Sequence, residues 1–276
     1  MLSNITLFAD LLSQLPSVLA QEAPSVEPGW LASWWQAIVN FVMGIPDWPE
    51  AIYAFLVKTW NVFLQKTVWL NLWKTVQMVF IAGGITIAFG VPLGILLNVT
   101  DKGGLKQNAA VNRSLGMMVN IGRSIPFIIF VFILMGVTKW LVGGTIGVKG
   151  AIVPLTVSAV PFMARLTETA LKEVPQGLVE AAHSMGATPM QIICKVLLPE
   201  ALPGIISALT IMMVSMIDYS AMAGMVGAGG LGDYAINHGY QRGRPEVIFA
   251  AVIVIVLLVQ VTQWAGDWLA RKVNHR

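Results

Sequence analysis

Five long apolar segments, separated by shorter and more polar stretches, occupy the chain from about residue 75 onwards. They cover roughly residues 75–98, 119–141, 148–170, 201–226 and 246–268. An α-helix needs about 20 apolar residues to cross the hydrocarbon core of a bilayer, and each of these segments is long enough. Prolines such as Pro126 lie inside some of them, and membrane helices tolerate proline better than soluble helices do. The pattern predicts an all-α membrane protein with a core bundle of five transmembrane helices.

The overall composition supports a membrane protein and excludes several kinds of site. Of the 276 residues, 56% are hydrophobic and only 11% are charged, whereas soluble domains carry about 25% charged residues. The single cysteine, Cys194, excludes a disulfide framework and a metal site built from several cysteines. We therefore expect membrane lipid around the bundle, and no metal, cofactor or nucleic acid as a ligand of this chain.

Lysine and arginine residues are distributed unevenly between the two sides of the predicted bundle. Because cytoplasmic loops of membrane proteins carry an excess of these residues, their distribution predicts the orientation. Ten lie in or close to the loop after the first segment, the polar region between the third and fourth segments and the C-terminal tail, against four in or close to the other two loops. The polar region and the C-terminus are therefore expected in the cytoplasm, and five crossings leave the N-terminus outside.

The first 65 residues differ in composition from the apolar segments that follow. The first 57 residues contain five acidic residues but no lysine or arginine, a composition that is easily moved across a membrane. The stretch WLASWWQAIVNFVM is short for a crossing and suits the membrane interface, where tryptophan is enriched. We expect residues 1–65 to form an extension outside or at the membrane interface, and residues 66–276 to form the transmembrane domain. A sixth crossing near residues 51–73 is the alternative.

A short polar stretch, EAAHSMGATPMQIICKVLLPEALP at residues 180–203, lies between the third and fourth apolar segments. Its pattern predicts a helix, a tight turn and a second helix. Gly186 can end the first helix, because glycine adopts a positive φ without penalty. The next residues, TPMQ, match the N-cap, first-turn proline and reciprocal cap of a new helix, which is expected to end before Pro199. The stretch is therefore predicted to be a rigid insert.

Two interpretations of this insert are open on physical grounds. Helical spacing divides the side chains of its first helix between an apolar face and a polar face. The apolar face holds Leu178, Ala181, Ala182 and Met185, and the polar face holds Glu180, His183 and Ser184. The small alanines allow another surface to come close. That surface is either the end of the bundle itself or a cytoplasmic partner protein.

The insert resembles the EAA signature of the permease subunits of ABC importers. The matching residues are Glu180, Ala181, Ala182, Gly186, Leu198 and Pro199. In that family the first helix of the insert is a coupling helix, seated in a groove of a separate ATPase subunit. The resemblance implies a type I importer permease fold with a coupling region at residues 173–199. The residues that it implies for the ATPase contact are Glu180, Ala181, Ala182, His183, Gly186 and Ala187.

Further segments are similar to those of methionine-importer permeases. They include NIGRSIPFIIF, AIVPLTVSAVPFMAR, GATPMQIICKVLLPEALPGI and YSAMAGMVGAGGLG, and the similarity runs from about residue 70 to the C-terminus. It implies import of methionine, in its L and D forms, across the bacterial inner membrane by a homodimer of this chain. It further implies two copies of a cytoplasmic ATPase, which bind ATP and Mg²⁺, and a methionine-binding lipoprotein outside. The alternative substrate is another small amino acid or an osmolyte.

Neither of the nucleotide-binding patterns is expected to act in this chain. The P-loop motif G-x-x-x-x-G-K-[ST] is absent, so we do not expect the chain to be an enzyme that hydrolyses ATP. The letters GAGGLG at residues 227–232 match a dinucleotide fingerprint, but that fingerprint must follow a β-strand, and here a membrane segment precedes it. A tight or flexible turn is expected instead. An ion-coupled transporter with Asp218 as its ion site is the alternative function, although the inverted repeats typical of that class are not visible.

The residues just before this turn are predicted to line the translocation path. They are Tyr219, Ser220 and Met222, with Asp218 beside them. Asp218 stands where the similar permeases are expected to have glycine. A carboxylate inside a membrane segment is costly and usually faces a cavity or a partner. We favour a hydrogen bond from a neighbouring helix to Asp218, and the alternative is contact with the amine of the substrate.

Overall fold

The computed structural model of the protein describes residues 48–274, which are almost entirely helical and contain no β-strand. The chain divides between Leu64 and Gln65 into two compact units. The described part of the first unit is one helix, α1 (Trp48–Phe63). Most of the predicted extension, residues 1–47, lies outside the described residues.

Helix α1 is short and presents an apolar side. Its 16 residues extend over about 24 Å, less than the roughly 30 Å of hydrocarbon in a bilayer. Tyr53, Leu56 and Trp60 are exposed and share one side of the helix. The next helix begins only at Lys66, so the chain forms no continuous helix over residues 51–73.

The second unit is built from helices joined by short connections. Those within the described residues are α2 (Lys66–Thr100), α3 (Ala109–Ser124), α4 (Phe127–Ile133), α5 (Met135–Val142), α6 (Gly147–Lys172), α7 (Gln176–Ser184), α8 (Pro189–Ile192), α9 (Leu198–Gly224), α10 (Gly230–Tyr234) and α11 (Pro245–Val273). Two π-helical turns, Ile193–Leu197 and Ala235–Tyr240, follow α8 and α10 directly.

Four stretches of continuous helix in the described residues are long and apolar enough to cross a membrane. They are Lys66–Thr100, Gly147–Lys172, Pro189–Gly224 and Pro245–Val273. A fifth crossing is present if α3 and α4, which meet at 101°, are counted as one broken span. The predicted all-α membrane fold is therefore confirmed, with four continuous crossings in the described residues and a fifth if the bent pair is one span.

The second predicted segment, residues 119–141, is not one straight helix. The chain is interrupted at Ile125, which is extended with φ −84° and ψ 122°, and again at Leu134. Proline lacks an N–H and crowds the residue before it out of the helical region, so Pro126 ends α3 at Ser124. The prediction of a single helix was wrong because it treated this proline as tolerated.

The polar insert does not end in a break before Pro199, and that prediction was also wrong. The helix runs from Pro189 through the π turn into α9. In a π turn the hydrogen bonds reach from residue i to residue i+5 rather than i+4. Pro199 lies in the first turn of α9, directly after this altered pattern, where its missing N–H does not interrupt an α-helical ladder.

Close packing of α2 on α6 forms the core that carries the insert. A Cβ added to Gly90 would lie 2.8 Å from the Cβ of Met163, and one added to Gly94 would lie 2.6 Å from the Cβ of Thr167. Small residues of this kind let membrane helices approach closely. In lipid no hydrophobic effect drives helices together, so close van der Waals packing stabilises their association. Helix α6 is thus held against α2 up to the end from which the insert emerges.

Candidate functional site

The turn between α7 and α8 is held by backbone hydrogen bonds that end α7. Gly186 has φ +80°, in the left-handed region that glycine adopts without steric cost. Its N–H donates to the carbonyl of His183 at 2.9 Å, and the N–H of Ala187 donates to the carbonyl of Ala182 at 3.1 Å. These two bonds form a Schellman motif. The predicted end of the first insert helix at Gly186 is confirmed.

Helix α8 begins with the predicted capping box. The N–H of Gln191 donates to Oγ1 of Thr188 at 3.4 Å, and the N–H of Thr188 donates to Oε1 of Gln191 at 2.8 Å. Pro189 occupies the first turn, where an N–H would have no partner. Because α7 ends and α8 begins with defined hydrogen bonds, the angle between them is set locally by the residues GATPMQ.

Helix α7 divides into a face buried against the bundle and a face open to solvent. Ala182 is only 4% exposed and belongs to the core of the second unit. Leu178 and Met185 are 43% and 81% exposed, and Ala181 is exposed on the same side. The predicted grouping of Ala182 with these residues was wrong, because Ala182 packs into the core and the others are exposed. We call Leu178, Ala181 and Met185 the exposed apolar face.

Four of the six residues implied for an ATPase contact are accessible. Glu180, Ala181, His183 and Gly186 are exposed, Ala187 is half-buried and Ala182 is buried. Glu180 also borders a polar cavity of about 600 Å³ whose walls include Asp101, Lys102, Lys172 and Gln176. Ala182 therefore fixes α7 to the bundle, while its neighbours are free to meet another protein.

A chain of polar contacts lies at the end of α6 from which the insert emerges. Glu168 has 5% of its side chain exposed and accepts hydrogen bonds from Arg165 at 2.7 Å and from Lys172 at 2.8 Å. Lys172 also pairs with Asp101, in the loop after α2, at 2.7 Å. Arg165 donates to the side-chain oxygen of Asn120 in α3 at 2.7 Å. These five residues, which we call the ion-pair chain, join α6 to α3 and to the end of α2.

The pair between Lys172 and Asp101 depends on pH. Hydrogen bonds from Lys172 and from the N–H of Lys102 lower the pKa of the Asp101 carboxyl below its ordinary value. A carboxyl whose pKa is lowered by folding contributes stability above its ordinary pKa and loses it as the pH falls through the lowered value. The side chains of Asp101 and Lys172 are 32% and 48% exposed, so water screens the pair. The link is therefore intact at neutral pH and is lost in acid.

The sequence predicts one link of the ion-pair chain, because Arg165 and Glu168 are three residues apart on one helix face and could pair. The structure confirms that pair. Lys172, four residues from Glu168, has the spacing of a second pair on the same face, and this pair was not predicted. Nothing in the sequence places Asp101 or Asn120 beside these three residues, because both belong to other segments.

Helix α9 carries a continuous accessible stripe along one side. Its members are Ile211, Ser215, Asp218 and Met222, with Met225 directly after the end of the helix; Ser215 is half-buried and the others are exposed. Spacings of three and four residues place all five on one side of the helix. Asp218 makes no hydrogen bond or ion pair with any residue from 48 to 274. The hydrogen bond that we favoured for it is therefore not formed within the described chain.

Two other residues predicted for the translocation path point into the chain, away from the α9 stripe. Tyr219 stacks on Phe127 of α4, with ring centroids 5.0 Å apart and an angle of 5° between the planes. Ser220 is buried, and its hydroxyl donates to the carbonyl of Ile217 at 2.7 Å. The structure thus brings Asp218 and Met222 together on an exposed side and places Tyr219 and Ser220 in its packing.

The glycine-rich turn after α9 packs tightly against α2. Gly230 has φ +86°, and a Cβ added to it would lie 2.6 Å from Oγ1 of Thr75. The same Oγ1 accepts a hydrogen bond from the N–H of Leu231 at 2.9 Å. The turn follows a membrane helix, and the part of the chain that is described has no strand. The expected tight turn is therefore confirmed, and the strand that a dinucleotide fingerprint requires is not there.

Comparison with known proteins identifies one family over most of the chain. Residues 90–275 match the family model of the binding-protein-dependent transport system inner membrane component. The chain is 55% identical over 204 residues to the probable D-methionine transport system permease protein MetI of Vibrio cholerae, covering 74% of this chain and 91% of that protein. It is 45% identical over 181 residues to the methionine import system permease protein MetP of Bacillus subtilis, covering 66% and 82%.

Solved structures give the same result. Two structures of the MetNI methionine ABC transporter in inward facing conformations match with TM-scores of 0.73 and 0.75, at 48% and 46% identity. They cover 74% and 76% of this chain, and 94% and 97% of their own. An amino acid ABC transporter with histidines is 18% identical with a TM-score of 0.58, so that likeness concerns the fold alone.

Proposed function

This chain belongs to the family of binding-protein-dependent transport system inner membrane components, and we propose that it is the permease subunit of an ATP-driven ABC importer that carries methionine into the cytoplasm. It is a transporter subunit and not itself an ATPase. The substrate follows from relatives whose names specify methionine and which match over 204 and 181 residues of this chain. Both L- and D-methionine are included in the proposal.

One observation of the structure carries the assignment of α7 as the coupling helix. The exposed apolar face stands on a helix whose other side is buried in the bundle and whose end is held by the Schellman motif. Exposed apolar surface of this kind marks a protein-interaction site, and a rigid mount lets a partner move the bundle. Glu180 and His183 flank this face and add polar contacts to the same interface.

The proposed assembly follows the family. Two copies of this chain pair in the membrane, and each coupling helix meets one copy of a cytoplasmic ATPase that binds ATP and Mg²⁺. A methionine-binding lipoprotein delivers the substrate from outside. Closure of the two ATPases draws the coupling helices together, and the bundle then opens toward the outside of the membrane.

The α9 stripe is the proposed wall of the translocation path. A charged side chain does not face lipid without cost, so the side of α9 that carries Asp218 is assigned to a water-filled space between the two copies. Met222 and Ile211, on the same side, are exposed by 47% and 51% and suit the apolar side chain of methionine. Tyr219 and Ser220 support this wall from behind through their contacts within the chain.

The function is tested by reconstituting the complex in proteoliposomes with its ATPase and binding protein. Uptake of labelled L-methionine and D-methionine should require ATP and the ATPase, and should persist when ionophores remove all ion gradients. Uptake driven by an ion gradient without the ATPase would contradict the class of transporter. ATP-driven uptake of another amino acid without methionine would contradict the substrate.

The proposed topology places residues 1–65, as an extension of the transmembrane domain, outside, and the C-terminus in the cytoplasm. In a chain whose Cys194 is replaced by serine, a thiol reagent that cannot cross membranes should label Ser25→Cys in intact cells. It should label Asn274→Cys only after the cells are permeabilised, because the C-terminal region, rich in lysine and arginine, stays inside. Protection of Ser25→Cys in intact cells would contradict this orientation.

A further inference from the structure

We propose that Glu168 is a positioning residue which, through the ion-pair chain, makes the base of the coupling helix move together with α3 and the end of α2. The proposal rests on the function proposed above, in which α7 receives motion from an ATPase. It concerns how that motion enters the bundle. Glu168 contacts neither the substrate nor the ATPase, and acts through Lys172 and Arg165.

The coupling helix is attached to α6 by a segment that is short and well packed. Three residues separate the end of α6 from the start of α7. Leu171 and Val174 are 3% and 6% exposed, and the N–H of Val174 donates to the carbonyl of Leu171 at 3.4 Å. A displacement of α7 therefore pulls directly on the last turns of α6, which carry Glu168 and Lys172.

The other end of the insert is connected differently. It enters α9 through the π turn Ile193–Leu197, and turns of this kind are distorted sites where helices bend. No ion pair joins this turn to another helix of the described chain. The braced connection is the one through α6, so we assign the transmission of motion to that side.

Glu168 holds the ion-pair chain together because it binds both cations. Its carboxylate is nearly buried, where charge pairs are stronger than in water. The side chains of Arg165 and Lys172 are 32% and 48% exposed, and each reaches a second partner on another segment. Loss of the Glu168 charge therefore leaves Arg165 and Lys172 held only by their partners Asn120 and Asp101 on other segments, and no longer joined to each other.

Replacement of Glu168 by glutamine keeps the size of the side chain and removes its charge. In the reconstituted complex, methionine imported per ATP hydrolysed is expected to fall about tenfold, within the range of ordinary coupling between sites. The amount of ATPase that co-purifies and its rate of hydrolysis should stay within about twofold of the wild type, because α7 itself is unchanged. A purely structural role would instead lower recovery and both rates together.

Two further variants make the test decisive. Asp267→Asn removes an exposed acid of α11 that has no ion pair among the described residues, and should leave the ratio of uptake to hydrolysis unchanged. Asp101→Asn cuts only the exposed link to the loop after α2, so it should fold and show a smaller loss. The ratio of uptake to hydrolysis in the double variant Asp101→Asn/Glu168→Gln should be no lower than in Glu168→Gln, because both substitutions act through the same ion-pair chain.

An unchanged ratio of uptake to hydrolysis in Glu168→Gln, or additive losses in the double variant, overturns the proposal. If the Glu168→Gln complex cannot be purified, Asp101→Asn alone tests the proposal. An unchanged ratio of uptake to hydrolysis in Asp101→Asn would then show that the link to the end of α2 transmits no motion, and would overturn the proposal. Failure of the wild-type complex to import methionine in the same assay would refute the proposed function instead, so the two failures are distinct.

Discussion

Replacement of Gly186 by valine is expected to detach the ATPase from the permease and to abolish ATP-driven uptake. The φ of +80° at Gly186 costs an L-residue about 1–2 kcal/mol, and a β-branched side chain is a rarer occupant still. Valine avoids this cost by leaving the left-handed region, which breaks both hydrogen bonds of the Schellman motif. Helix α8 then loses its direction relative to α7. A Cβ at this position would meet no atom within 4 Å, so the effect arises from the backbone and not from crowding.

The measurement is the yield of ATPase that co-purifies with the solubilised permease, together with methionine uptake. Gly186→Asn should retain the ATPase, because asparagine tolerates the left-handed conformation. Gly143 ends α5 with φ +78° and also has open space around it, so Gly143→Val imposes the same strain away from the insert. It should bind the ATPase normally. Wild-type yield and uptake with Gly186→Val would show that the turn has no part in coupling.

Replacement of Asp218 by lysine is expected to lower methionine uptake more than about tenfold. The lysine side chain is longer than that of aspartate, so in the proposed dimer one ammonium group from each copy would extend from the wall into the translocation path. At about 6 Å from methionine, each would attract the carboxylate and repel the ammonium group of the substrate by roughly 3 kcal/mol at an effective dielectric constant of 20, and so would hold the substrate in the path. If the α9 stripe faced lipid instead, the long side chain would extend to the interface and uptake would change little.

The matched control is Asp218→Gly, which supplies the residue expected in similar permeases. We expect it to be tolerated, with the complex recovered and uptake within about twofold of the wild type, because Asp218 makes no hydrogen bond or ion pair with residues 48–274. Uptake is compared at equal amounts of assembled complex, so that poor membrane insertion is not mistaken for a blocked path. Wild-type uptake with Asp218→Lys would show that the α9 stripe does not line the translocation path. Loss of uptake with Asp218→Gly would make the native carboxylate part of the mechanism.

Most of the bundle could be predicted because apolar length alone decides it. Helices α2, α6 and α11 contain the predicted segments and extend them by one to nine residues at each end, since long apolar helices have no other stable place than the bilayer. The break at Pro126 was also within reach, because proline and the residue before it carry a local signal. The π turn was not, since the residues ICKVL are ordinary helix residues and nothing local selects the wider hydrogen bonds.

The features of the insert that depend on neighbouring residues were predicted from the sequence, and those that depend on distant contacts were not. The Schellman motif and the capping box each use residues within about five positions, so the letters GATPMQ are sufficient to predict them. Ala182 was assigned to the wrong face because alanine is acceptable both in a core and on a surface. The pair between Asp101 and Lys172 joins distant parts of the chain and depends on the close contact of α2 with α6.

The π turn between α8 and α9 also sets a rotational phase. A turn of this kind takes up one residue more than an α turn, and one residue corresponds to about 100° of rotation. The side chains of Pro189–Ile192 are therefore rotated by about that angle from where an uninterrupted α-helix would place them relative to Leu198–Gly224. Deleting one residue from Ile193–Leu197 would remove the wide turn and keep both faces in place. Tightening the same five residues into α-helix would swing α8 around the axis of α9 without moving the membrane span.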